Sequence, residues 1–321
     1  MDDLDREDNV KKKTNEIKTY AVSAPLRDIK EVMSINTNTF TKYSEQKLFN
    51  KAFNFHSQGN ISEAEKYYQY SIEKGFNDPR VYSNYGIILK KQGKLDQAEK
   101  YFLKAIEIKP DYAIAYYNLA NTLRTLGRLN EAVLSMKTSI KFNSDYYLSH
   151  YNLSGILNDL AKFKEAEKYL LNTIKIKPDF EIAYNNLGDI LIKLGRIKEA
   201  ENNLLKAIEI KPSYSIAYFN LGNLYRKNGK LREAKTFFIK AIKINPYLSK
   251  SYFLLSTFKN FNHKDEIWIN RIFSENIISH SDQESRIDIY FARANILHRR
   301  KNFKESKKYL ELANQIKLDI K

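Results

Sequence analysis

The sequence predicts an all-α protein, a solenoid of antiparallel helix pairs, on three observations. Alanine recurs every 34 residues, at Ala64, Ala98, Ala132, Ala166, Ala200 and Ala234. Tyr82, Tyr116, Tyr184 and Tyr218, and Pro110, Pro178, Pro212 and Pro246, fall on the same lattice. The 321 residues include only 10 Gly and 6 Pro, which favours long helices over a turn-rich β fold. A period of this length marks stacked helical units, each burying its apolar face against the next.

Six units begin at Glu45, Pro79, Ala113, Tyr147, Glu181 and Ser215, without an insertion. The first helix of each carries apolar residues at helical spacing, as in Tyr218, Leu221, Gly222 and Tyr225. A turn follows at Gly59, Gly93, Gly127, Gly195 and Gly229, with Ala161 in place of glycine once. Glycine suits a helix end that turns left-handed. The second helix carries the lattice alanine, and four residues later Tyr68, Phe102, Met136, Leu170, Leu204 or Phe238. A small residue comes next, at Ser71, Ala105, Ser139, Thr173, Ala207 and Ala241. Small side chains let two helices approach, and the large ones fill the groove between them. Proline then ends the second helix.

Aromatic–x2–Leu–Gly–x2–Tyr, then Ala–x3–Phe–x2–Ala, then Pro, at a 34-residue period, resembles the tetratricopeptide repeat over residues 45–248. The resemblance implies a right-handed α-solenoid, a superhelix with a concave groove lined by the first helices. Residues 1–44 lack the lattice and are expected to form a mostly disordered leader with a short helix near Leu26–Met33. Residues 249–286 read as a degenerate seventh unit (Tyr252, Leu255, Ser256) and an irregular helical insert. In that insert Ile267, Trp268, Ile272, Phe273 and Ile277 predict a packed helix. Residues 287–321 read as a terminal helix pair, with Tyr290, Ala294, Leu297, Leu310 and Ala313 at repeat positions and Ser306 replacing the alanine. A second resemblance covers roughly 249–321, which is similar to the segment joining such repeats to a sulfotransferase domain in bacterial fusion proteins. There a catalytic domain follows, and its glycine-containing loop binds the phosphosulfate donor. The sequence reaches Lys321 without that loop, so the resemblance implies relatedness and not activity.

The search for chemistry is negative. With no Cys there are no disulfides, zinc–thiolate sites or cysteine nucleophiles. A GxxxxGK phosphate loop is absent; Gly222 and Gly229–Lys230 have the wrong spacing. His56, His150, His263, His280 and His298 form no HxxxH or HExxH pair, and His150 stands at an aromatic core position. Glu165/Glu167 and Glu199/Glu201 recur in phase on second helices, as a solvated face does. No catalytic residue, metal site or cofactor is expected. The charged N-terminus is not a secretory signal, and no run of about 20 apolar residues exists to span a membrane. A cytoplasmic protein is expected.

The formal charge is +16, from 54 Lys+Arg against 38 Asp+Glu. Nucleic acid, an acidic partner or anionic lipid would suit it, and so would a Lys-, Asn- and Ile-rich coding bias. The repeat family implies that first-helix positions 2, 5, 6, 9, 12 and 13 line the groove. Position 6 is asparagine in all six units: Asn50, Asn84, Asn118, Asn152, Asn186 and Asn220. Position 9 adds Asn121, Asp189 and Asn223, and positions 12 and 13 hold Lys90, Lys91, Arg124, Lys193, Arg226 and Lys227. Phe49, Tyr117, Tyr151 and Phe219 interleave at position 5.

An amide binds backbone N–H and C=O together. First helices about 10 Å apart would offer one amide per roughly three extended residues. The repeat half of O-linked N-acetylglucosamine transferase resembles this ladder, and there groove asparagines hold peptide backbones. Two readings of the ladder stand: use in binding, or a consensus inherited through duplication. The basic residues likewise suit either an anionic ligand or the helix dipole, which favours cations in a last turn. The family's chaperone-adaptor carboxylate clamp is not built, because only Arg80 supplies a base at position 2.

Three functions follow in order. The first is a non-catalytic scaffold binding extended, acidic peptide in the groove. The second is a substrate-recognition subunit, or truncated relative, of a repeat-containing sulfotransferase or glycosyltransferase. That subunit would dock or self-associate through Leu310, Leu312, Ile316 and Ile320. The third is nucleic-acid binding.

Overall fold

Each lattice alanine is completely buried, and so is the small residue seven positions on. These two rows bring the second helix of every unit against its neighbours, which is why the period survives as structure. The computed structural model describes residues 37–259, 261 and 263–320, with side chains from Glu45 onward. The short helix expected near Leu26–Met33 lies outside the described residues. All regular structure among the described residues is helical. The chain divides into two compact units, Met1–Leu160 and Ala161–Lys321.

The first unit holds α1 (Thr37–Ser57), α2 (Ile61–Glu73), α3 (Pro79–Lys91), α4 (Leu95–Ile108), α5 (Ala113–Thr125), α6 (Leu129–Phe142) and α7 (Tyr147–Asp159). α1 starts upstream of the expected unit boundary at Glu45. Asp78 caps α3 through the Arg80 N–H at 2.9 Å, and Pro79 fills the first helical position, where no N–H is needed. The turn from α3 to α4 runs through Gly93 at φ +78°. Two backbone bonds close it, Gly93 N–H to Lys90 C=O at 3.0 Å and Lys94 N–H to Leu89 C=O at 2.9 Å. They satisfy carbonyls that the helix end would otherwise leave bare. Gly86 lets α4 approach α3: a Cβ there would lie 2.7 Å from the Phe102 ring.

The second unit holds α8 (Phe163–Ile176), α9 (Glu181–Lys193), α10 (Ile197–Ile210), α11 (Ser215–Lys227), α12 (Leu231–Ile244) and α13 (Ser249–Ser256). A single 3-10 turn (His263–Asp265) leads to α14 (Glu266–Phe273), α15 (Glu275–Ser279), α16 (Gln283–Arg299) and α17 (Phe303–Asp319). Ala161, just before α8, adopts φ 56° where the other units use glycine, and Lys301 does the same between α16 and α17 at φ 61°. The turn geometry therefore belongs to the lattice, and glycine only eases it.

The insert packs around Trp268, whose ring joins Tyr252, Leu255, Ile269, Ile272, Ile289 and Ile296 in one buried cluster. Its indole N–H donates to Asp265 at 3.0 Å, and the same buried carboxylate takes Lys235 at 2.6 Å. The expected packed helix exists as α14 and α15, with one exception: Ile267 is 74% exposed. Arg293 on α16 ties them down by donating to the carbonyls of Ile272 and Ser274, at 2.8 and 2.9 Å. Leu310, at the position filled elsewhere by fully buried residues, is 39% exposed because α17 carries no helix over that face among the described residues.

Candidate functional site

First helices lie side by side within each unit, α3 against α5 and α5 against α7 in the first, α9 against α11 in the second. Their facing rows decide what the asparagines can do. In the first unit Asn84, Asn118, Asn121 and Asn152 are at most 2% exposed, and Tyr117 is equally buried. The expectation that these five line an open groove is not met. Asn152 donates to the Tyr117 hydroxyl at 2.8 Å and to Asn121 Oδ1 at 3.2 Å, which joins α7 to α5. The Tyr117 ring packs edge-on against Tyr146, with centroids 5.3 Å apart, and helps close the row. The amide nitrogens of Asn84, Asn118 and Asn121 have no hydrogen-bond partner.

The second unit repeats the bond with a different partner. Asn220 donates to Asn185 Oδ1 at 2.9 Å. Asn185 stands at position 5 of its unit, where Tyr117 stands in its own, so the position-6 amide reaches the position-5 side chain of the preceding unit in both places. An amide cannot cover its neighbour as a phenol ring does. Asn220 is accordingly half-buried, as are Asn186 and Asn223. Phe219 is half-buried against Phe238, and Arg226 is exposed at the end of α11.

The remaining candidates are scattered. Asn50 is exposed and accepts from Gln46 at 2.7 Å. Tyr151 is half-buried. Lys193 pairs with Asp189 on its own helix at 2.8 Å. Arg80 is committed to Asp78 and lies 4.1 Å from the Phe49 ring centroid. Arg124 pairs with Asp159 at 2.7 Å. Burial, and secondarily Arg124, pushes the Lys90 ammonium down to about 8. Gly155 and Asp159 in the first unit, and Asn185 in the second, also contact these candidates, without having been singled out in the sequence. Asn185 was findable, since it breaks the aromatic row at position 5.

His150 is buried, as its core position requires. Glu167 and Glu199 share Arg196, and Glu201 accepts from the Tyr225 hydroxyl. The Glu167 and Glu201 contacts tie successive repeats, and Glu199 pairs within its own repeat. Among the described residues no group of three or more His, Asp or Glu side chains is placed to hold a metal.

Tetratricopeptide repeats match at residues 78–144, 188–229, 215–248 and 287–319. The chain is a tetratricopeptide repeat protein. The last match falls on the terminal helix pair. No curated protein matches. A tetratricopeptide repeat protein from Parabacteroides merdae shares 18% identity over 84% of this chain and 99% of its own, with a TM-score of 0.59. PilF from Pseudomonas aeruginosa shares 17% over 70% and 97%, with a TM-score of 0.53. Both share the all-α repeat fold. YrrB, described as a TPR protein with an unusual peptide-binding site, shares 24% over 56% and 92%, with a TM-score of 0.48. Family and architecture support a protein-interaction scaffold, and none of the matches indicates a catalytic domain. Among the described residues no helix is long and apolar enough to cross a membrane.

Proposed function

We propose that the chain is a non-catalytic scaffold that takes an extended, acidic peptide segment across its first helices. The observation that carries this is the face of α11, where Asn220 and Asn223 stand half-exposed between the Phe219 ring and the free Arg226. An amide there offers a donor and an acceptor to a peptide backbone, the ring gives an apolar contact, and the guanidinium attracts acid. In the first unit Asn152 ties α7 to α5, and the buried amides there do not read the ligand.

The test is fluorescence anisotropy of a labelled glutamate-rich peptide with the full chain. Binding is expected, weaker as salt rises, and reduced about tenfold in Asn220→Ala/Asn223→Ala, the loss of one charge-free bidentate contact. Affinity unchanged in that double variant removes the reading.

A further inference from the structure

Lys90 and Arg124 occupy position 12 of successive units, at the last turns of α3 and α5. Arg124 is fixed from the other side. Its Nε and Nη2 both reach Asp159 of α7 at 2.7 Å. Its guanidinium lies flat against Gly155, where an added Cβ would stand 3.0 Å from Nη1 and 3.3 Å from Nη2. Lys90 has no such partner: among the described residues no ion pair or hydrogen bond engages its ammonium, which is half-buried. Facing it from α5 is Arg124, and Lys91 adjoins it on α3; Arg124 is the one charge, among the described residues, that acts on it. A partly desolvated cation beside a second cation, with no counter-ion, is costly to hold. A carboxylate placed between the two would relieve that cost.

We infer that Lys90 and Arg124 form a subsite for an acidic side chain of a peptide bound at the first unit, with Gly155 as the floor that keeps Arg124 in place. This rests on the scaffold reading and gives the first unit a carboxylate site of its own. Asp159 leaves Arg124 only part of its charge to offer, so Lys90 is the residue that decides affinity. The lowered ammonium value, about 8, agrees with a site whose charge is completed by ligand. It also gives a signature: as pH rises through about 8 the unliganded ammonium loses its proton, and carboxylate binding weakens.

The experiment compares a labelled glutamate-rich peptide with its glutamine counterpart on the full chain. Lys90→Gln should weaken the glutamate peptide about tenfold, the loss of a charge-assisted bond, and leave the glutamine peptide unaffected. Lys90→Arg, which stays charged, should bind normally and lose the weakening above pH about 8. Gly155→Ala should weaken the glutamate peptide less than Lys90→Gln does. Equal affinity of wild type and Lys90→Gln, with the Asn220→Ala/Asn223→Ala variant still impaired, overturns the subsite and leaves the scaffold standing. Failure of the wild-type chain to bind the glutamate peptide overturns the subsite as well. In that case the acidic-peptide reading falls with it, and binding of the glutamine peptide would leave only a site for uncharged peptide.

Discussion

Asn152 and Asn220 hold the same lattice position and make the same kind of bond to the unit before, yet one is sealed and the other is half open. The difference lies in a single partner. Tyr117 receives Asn152 with a hydroxyl at the end of a ring, and the ring covers what it binds. Asn185 receives Asn220 with a short amide and covers nothing further. The exposure of a position-6 asparagine therefore follows the position-5 residue of the preceding repeat, 35 residues upstream. In the first unit Asn152 is a sealed internal tie, and in the second Asn220 makes its tie while half-exposed.

Acid should separate the two units most strongly. Burial, with Lys91 nearby, holds His56 down to about 4 from an ordinary 6.5. Folded protein thus keeps the imidazole neutral while the unfolded chain takes a proton below 6.5. The stability this contributes is complete above 6.5 and is lost as pH falls towards 4, by roughly 3 kcal/mol at most. His263, His280 and His298 in the second unit are exposed and carry no comparable burial. Hydrogen exchange between these pH values should show the first unit opening first; simultaneous opening would break the contrast.

Next in size is Asn152→Ala, which strips a buried bond from Tyr117 and leaves Asn121 Oδ1 without its donor. A loss of about 1–3 kcal/mol in urea unfolding is expected, against a helix-propensity gain of a few tenths. Asn220→Ala removes a half-exposed bond that water can replace, so a change within about 0.5 kcal/mol is expected. Its effect should appear in peptide affinity instead. Asn185→Tyr sharpens the same point: the ring should cover Asn220 and weaken peptide binding without a large change in stability.

The repeat itself was legible because its packing rules act inside one unit. Ala98 must be small where α4 meets its neighbours, Phe102 must fill the space above Gly86, and Gly93 must turn left-handed. Spacing alone reports all three. The exposure of position 6 was not legible from spacing, because it depends on whether Tyr117 or Asn185 sits 35 residues upstream. Likewise, Lys90 and Arg124 read as two last-turn cations suited to the helix dipole. Only the draw of Asp159 and the gap at Gly155 show that Arg124 is engaged, while Lys90 has no ion pair among the described residues. In the insert, apolar spacing found the buried Trp268 and Ile272, but placed the exposed Ile267 with them. Ile267 precedes Trp268 on α14, and with about 3.6 residues per turn adjacent side chains point in different directions, so Ile267 faces away from the cluster.

The contrast between sealed and open asparagines is tested most directly by solvent exchange of their side-chain amide protons, followed by NMR in the full chain. The amides of Asn84, Asn118, Asn121 and Asn152 should exchange slowly, and that of Asn223 rapidly. Exchange in the first four as fast as in Asn223 would contradict the account.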